Sequence, residues 1–155
     1  MQMRLPAQTT DAELLARLHA QCFVDAWSAD SFAALLAQPT TFAIGAGDGF
    51  IVVRVAGGES ELLTLGIIPA ARRRGAASAL LRAGLEEAGR RGAAVMFLEV
   101  GSRNFPAIAL YKRHGFAQVA TRKSYYAGSG GTPEDALVFR ADIPPVPVGK
   151  GLQLG

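Results

Sequence analysis

The chain has 155 residues, half of them hydrophobic, with 16 Lys or Arg against 13 Asp or Glu, which suits one domain burying roughly 70% of its unfolded surface. A single cysteine excludes an internal disulfide and fits a reducing compartment. The opening stretch MQMRLPAQTTD carries no apolar signal segment and no run nears the roughly 18 apolar residues of a membrane span, so the expected setting is cytoplasmic, with no membrane partner.

The predicted elements begin at Thr10 and Asp11, which can cap a helix with Glu13 in its first turn and Leu14, Leu15, Leu18, Cys22 and Phe23 at helical spacing. Cys22 reads as inert core. A break at Asp25-Ala26-Trp27 leads to Ser28, a second cap, and a helix with Phe32, Leu35 and Leu36 that Pro39 ends. Trp27 suits either core packing or contact with a substrate. Thr41 to Ala46 and Phe50 to Ala56 are two predicted strands joined by a tight Gly-Asp-Gly turn.

Gly57-Gly58-Glu59 then turns the chain into ELLTLGII, a strand from Glu61 that is apolar on both faces and that Pro69 stops. Arg72, Arg73, Arg74 and Gly75 lead into a helix predicted from about Arg74 to Arg90, with Leu80, Leu81 and Leu85 on one face and Gly92 closing it. A strand, a basic turn and a helix start together form an anion site. The first helical N–H groups lack internal partners, the dipole is positive there, and Gly75 lets a phosphate approach the backbone. An Arg-rich helix start with no ligand is the plain alternative. Charge placement favours the ligand: residues 62 to 124 hold eleven Lys or Arg against three Glu, net +8, and the remainder nets −5. Nucleic acid fits on charge alone, but this half lacks the interleaved aromatics that stack bases.

Ala93 to Val100 is the next strand, giving a right-handed strand–helix–strand crossover. Glu99 shares a face with Val95 and Phe97 and lies at the carboxyl end, where ligands gather in such sheets. A carboxylate among apolar neighbours needs water, a partner or a use; pairing with Arg103 is the structural alternative. Asn104 to His114 is a short helix, capped by Asn104 with Pro106 in its first turn and Gly115 after it, and Ala107, Leu110, Tyr111 and His114 share a face. Phe116 to Arg122 is a strand, Tyr125 to Pro133 a mobile polar loop, and Glu134 to Ala141 the final strand. The expected domain is 1–142, with 143–155 a tail too rich in Pro and Gly to pack.

Two motifs carry a family resemblance. Arg-Arg-Arg-Gly-Ala-Ala resembles the pyrophosphate loop (Gln/Arg)-x-x-Gly-x-(Gly/Ala) of the GNAT acyltransferases, and Asn104 to Tyr111 with Gly115-Phe116 resembles their Asn-x-x-Ala-x-x-Leu-Tyr-x-x-x-Gly-Phe signature. Leu98-Glu99-Val100, Tyr125-Tyr126 and Glu134-Asp135-Ala136 are similar to the bacterial branch that acetylates ribosomal-protein N-termini. Ile68 and Gly101 depart from that branch, where Asp and a basic residue are usual. The resemblance implies a single α/β domain with a mixed, mostly antiparallel sheet of six to seven strands, splayed at the central strand and flanked by about four helices. It also implies acetyl-CoA as co-substrate, no metal, and a monomer or weak dimer. Implied acetyl-CoA contacts are Leu65, Gly66, Ile67, Arg73, Arg74, Gly75, Ala76, Ala77, Ser78 and Asn104. Glu99 falls on the base and Tyr111 on the acid, with Trp27, Glu61, Tyr125 and Tyr126 on the acceptor side and Glu61 able to share the base role.

Three functions stay open on these residues. One is acetyl transfer to a protein α-amine, ribosomal by resemblance. An α-amine has a pKa of about 7.7–8.0, within reach of a carboxylate base. Another is transfer to a lysine, pKa about 10.4, or to a small amine. The last is a non-catalytic binder of coenzyme A or an RNA backbone, which needs neither Glu99 nor Tyr111.

Overall fold

The chain is described from a computed structural model, over residues 6–127 and 133–145. Its elements run β1 (Ala7–Thr9), α1 (Ala12–Cys22), α2 (Ala29–Leu36), β2 (Thr41–Gly45), β3 (Gly49–Ala56), β4 (Glu59–Ile67), a short 3-10 turn (Pro69–Ala71), α3 (Ala76–Arg90), β5 (Val95–Gly101), α4 (Phe105–Arg113), β6 (Ala117–Ala127) and β7 (Pro133–Asp142). The caps form as the residue types dictate. Asp11, Ser28 and Asn104 each accept a backbone N–H from the third residue on, at Leu14, Ser31 and Ala107.

All seven strands join one sheet in the order β1-β2-β3-β4-β5-β7-β6, and every pairing is antiparallel except β4 with β5. That parallel pair is in register only between Glu59–Glu61 and Val95–Phe97. Beyond Glu61 the two strands diverge, so β4 continues to Ile67 paired with β3 alone. The sheet therefore opens in a V at the carboxyl ends of its two central strands.

The two faces are covered unequally. Strand alternation sends Met96, Leu98 and Val100 into a core with Leu80, Leu81, Leu110 and Tyr111, so α3 and α4 pack on one face. On the other, Leu15, Leu18 and Phe32 of α1 and α2 cover Ala43, Phe50 and Val52, which belong to β2 and β3. Phe97 and Glu99 emerge half-exposed on that second face, past the cover of α1 and α2.

Several expectations are corrected. The three-residue β1, too short for a periodicity, was not predicted from the residues. The third helix starts at Ala76 rather than Arg74, because Gly75 takes a left-handed φ of +78° and serves as its N-cap. Tyr125 and Tyr126 belong to β6, not to a loop: the strand runs past a bulge at Arg122–Tyr126, and Ser124, φ +49°, donates its N–H to Asp135 Oδ1 at 2.8 Å. The Gly run that follows them masked two strong strand formers. The rest of that predicted loop, residues 128–132, lies outside the described residues. Packing also continues one residue into the predicted tail, since Ile143 is buried and its N–H bonds to Ala94 O at 2.9 Å.

Candidate active site

A cleft of about 590 Å³ fills the opening of the V on the α3–α4 side. Its walls are the end of β4 (Leu65, Gly66, Ile67), the turn and first residues of α3 (Arg73, Gly75, Ala76, Ala77, Ser78) and the face of α4 that carries Asn104 and Tyr111. The basic turn reverses tightly, with left-handed φ at Arg73 (+67°) and Gly75 (+78°). A Cβ on Gly75 would meet nothing within 4 Å, so the glycine serves the backbone conformation and leaves the approach to α3 open. No side chain caps α3. Its first N–H groups face the cleft with the positive end of the dipole behind them.

The three arginines divide their work. Arg72 donates Nε–H to Ile67 O at 2.9 Å and ties the turn to the end of β4. Arg73 lines the cleft; Arg74, expected there, is exposed and does not. The floor is braced by Ser78 Oγ and His114 Nε2, 3.0 Å apart, which join the first turn of α3 to the end of α4. Burial, then the nearby Arg82 and Arg113, hold the His114 pKa below its usual value, so that brace is uncharged at neutral pH.

Sequence reasoning missed part of the wall. Pro106 and Arg113 follow the helical spacing of Leu110 and had a usable signal; Cys22 and Phe23, delivered by the end of α1, had none. Cys22, expected in the core, packs against the α1–α2 core but is only half-buried and lines the cleft, where burial raises its thiol pKa despite Arg72 nearby.

Glu99 lies on the other face of the sheet. Its Oε2 accepts from Arg122 Nη1 at 2.7 Å, two strands away, and the Arg122 guanidinium stacks at 3.8 Å over the Tyr125 ring. The bond from Glu99 raises the already high pKa of Arg122. Arg103, the partner in the structural alternative, instead meets Glu134, whose Oε2 also accepts the Arg103 backbone N–H at 2.8 Å. Gly101, which stands where the resembled branch has a basic residue, lies against the Glu134 carboxylate. A Cβ there would stand 2.5 Å from Glu134 Oε2.

Of the other residues expected on the acceptor side, Glu61, Trp27 and Tyr125 do not line the cleft. Glu61 forms an ion pair with Arg54 at 2.6 Å where β4 and β5 are still joined, with both side chains near half exposure. Trp27 is half-buried against the α1–α2 core. The Tyr126 side chain is outside the described residues. Among those residues, no cluster of three or more His, Cys, Asp or Glu can hold a metal ion, and no helix is long and apolar enough to cross a membrane.

A sequence profile of the Acetyltransferase (GNAT) family matches residues 8–116. The chain belongs to the GNAT family. The N-alpha-acetyltransferase RimI of Mycobacterium tuberculosis is 39% identical over 143 residues, 85% of this chain and 87% of that protein. The ribosomal protein bS18-alanine N-acetyltransferase of Escherichia coli is 35% identical over 94 residues, 61% of this chain and 63% of that protein. The crystal structure of a ribosomal-protein-alanine N-acetyltransferase from Escherichia coli matches with a TM-score of 0.81 at 27% identity, over 92% of this chain and 96% of that one. The seven-stranded mixed sheet with four flanking α-helices is thus a GNAT fold, and the chain is an acetyl-CoA-dependent acyltransferase.

Proposed function

We propose that this GNAT enzyme acetylates the N-terminal α-amine of a protein, with a ribosomal protein beginning in alanine as the acceptor class. The names of its relatives support that choice. The observation that carries it is the division of the site by the sheet. The anion-binding cleft and Tyr111 lie on one face, Glu99 on the other, and the V between β4 and β5 joins them.

The cleft residues fit acetyl-CoA chemically. A pyrophosphate suits the uncapped N–H groups of Ala76, Ala77 and Ser78 with Arg73 beside them, and Asn104 lines the opposite wall. When bound, acetyl-CoA supplies an activated thioester. Glu99 takes a proton from the incoming ammonium, through water, after releasing its bond to Arg122. Backbone N–H groups of Leu65 to Ile67, on a strand no longer paired with β5, donate to the acyl oxygen as negative charge develops there. Tyr111, buried against Phe116 with its ring facing the cleft, protonates the departing thiolate.

The test is Glu99→Gln, which keeps shape and removes the base. Acetyl-CoA affinity should be unchanged by calorimetry, while transfer to an alanine-initiated peptide falls about 10²–10⁴-fold. A rate within a few-fold of wild type rules out Glu99 as the base.

A further inference from the structure

His19 is a buried titratable group that acetyl transfer leaves without a role. Its imidazole, 2% exposed, is stacked between Phe23 (centroids 4.4 Å apart) and Trp27 (4.9 Å), with Phe32 edge-on at 5.4 Å and Phe50 at 5.7 Å. Nδ1 accepts the backbone N–H of Trp27 at 3.1 Å. An accepting Nδ1 carries no proton, so that bond assigns the neutral ring with its proton on Nε2.

The ring thereby ties both ends of one exposed connection. Phe23 directly follows α1, donates its N–H to His19 O at 2.9 Å and lines the acetyl-CoA cleft. Trp27 directly precedes Ser28, the cap of α2. Between them Val24, 97% exposed, and also Asp25 and Ala26 stand in solvent. His19 is the shared anchor of a loop that borders the mouth of the V.

We propose that His19 is a positioning residue for the acceptor: its neutral imidazole latches the α1–α2 connection, and protonation releases that connection and weakens acceptor binding. The acceptor half of this inference rests on the acetyl-transfer reading above; the latch itself does not. A proton on Nδ1 would face the Trp27 N–H, two donors with no acceptor between them. The groups that meet the ring do not offset a charge. From α2 and β3 these are Phe32 and Phe50, and from the connection Phe23 and Trp27. Glu13 and Arg17 of α1, Asp25 of the connection and Asp30 of α2 are exposed, and Cys22 is a thiol raised in pKa by burial, with Arg72 beside it. Burial holds the His19 pKa below its usual 6.5. The latch is then closed at neutral pH and opens as pH falls through a midpoint under 6.5.

Trp27 is the only tryptophan, so its emission reports the latch without any substrate. In wild type the emission should titrate with that midpoint while circular dichroism stays folded. His19→Asn keeps a side-chain acceptor near Nδ1 and should abolish the titration; His19→Phe keeps the stack, removes the acceptor and should abolish it too. Affinity for a synthetic peptide with N-terminal alanine is measured alongside, under saturating coenzyme A so that no transfer occurs. In wild type it should weaken about tenfold as pH falls through the Trp27 midpoint. In His19→Asn it should stay close to the wild-type neutral value at every pH, and in His19→Phe it should be about tenfold weaker throughout, the size of one lost buried hydrogen bond. A Trp27 titration that persists in His19→Asn, or a wild-type emission that does not titrate, overturns the latch. A titrating Trp27 with peptide affinity flat across pH overturns the positioning role. A titrating Trp27 with no peptide binding at any pH supports the latch and overturns the acceptor reading together with the role built on it.

Discussion

The two faces of the sheet are built from different materials. On the α3–α4 face the cleft is made of backbone: a strand end freed from its neighbour, a left-handed turn at Arg73 and Gly75, and an uncapped helix start, with small side chains around them. On the opposite face the chemistry sits in side chains whose positions depend on distant partners, Glu99 on Arg122 and Glu61 on Arg54. A ligand common to a whole family suits the first construction. An acceptor that differs between family members suits the second, because ion pairs and rings change without altering the fold.

Substitutions can break this comparison. The largest effect is expected at Tyr111, which belongs to the backbone-built face yet is assigned side-chain chemistry. Tyr111→Phe keeps the buried ring and its contact with Phe116. Transfer should slow about 10²-fold or more, and less so with an acyl donor whose thiol leaves more easily. Stability should fall by about 1 kcal/mol at most. A Phe variant with near-normal turnover leaves Tyr111 as core.

Next is the turn. Gly75→Val forces a branched side chain to a φ of +78°, which costs about 1–3 kcal/mol of stability, and acetyl-CoA affinity measured by calorimetry should drop by about tenfold or more. Gly75→Asn accepts the left-handed conformation and so separates the two effects. It should stay nearly as stable as wild type, and any loss of affinity then comes from the side chain in the approach to α3.

Smaller changes belong to the opposite face. Gly101→Ala places a Cβ 2.5 Å from Glu134 Oε2. The carboxylate must swing off the Arg103 N–H, and thermal unfolding should register a loss of about 1 kcal/mol, one hydrogen bond. Smallest of all is Glu61→Gln. Its pair with Arg54 is half exposed, so stability should move by about 0.5 kcal/mol or less. Turnover should hold within about twofold unless Glu61 shares the base role, which a general-base loss would reveal.

The same contrast decides what could be read from the sequence. The cleft was legible because it is local: a buried strand, a stopping proline, a basic turn and a helix follow one another within one stretch of chain. The helical spacing of Leu110 and Tyr111 likewise reports which face of α4 packs. The opposite face was not legible, since it depends on register. Arg103, four residues away, was the only partner for Glu99 that the sequence suggested, as an alternative to a functional role, but β6 brings Arg122 to it across β7, while Glu134 of β7 takes Arg103. His19 gave no signal either. A lone histidine on a helix face does not announce that a loop eight residues on will donate to it.

The measurement closest to the central claim uses one peptide with two amines. A synthetic peptide with N-terminal alanine and one internal lysine is incubated with enzyme and acetyl-CoA at neutral pH, and mass spectrometry locates the acetyl group. The α-amine, with a pKa of about 7.7–8.0 against about 10.4 for lysine, is the amine that a single carboxylate can deprotonate there. Acetyl on the α-amine with the lysine untouched is the predicted result. Acetyl on the lysine Nε with the α-amine free would contradict it.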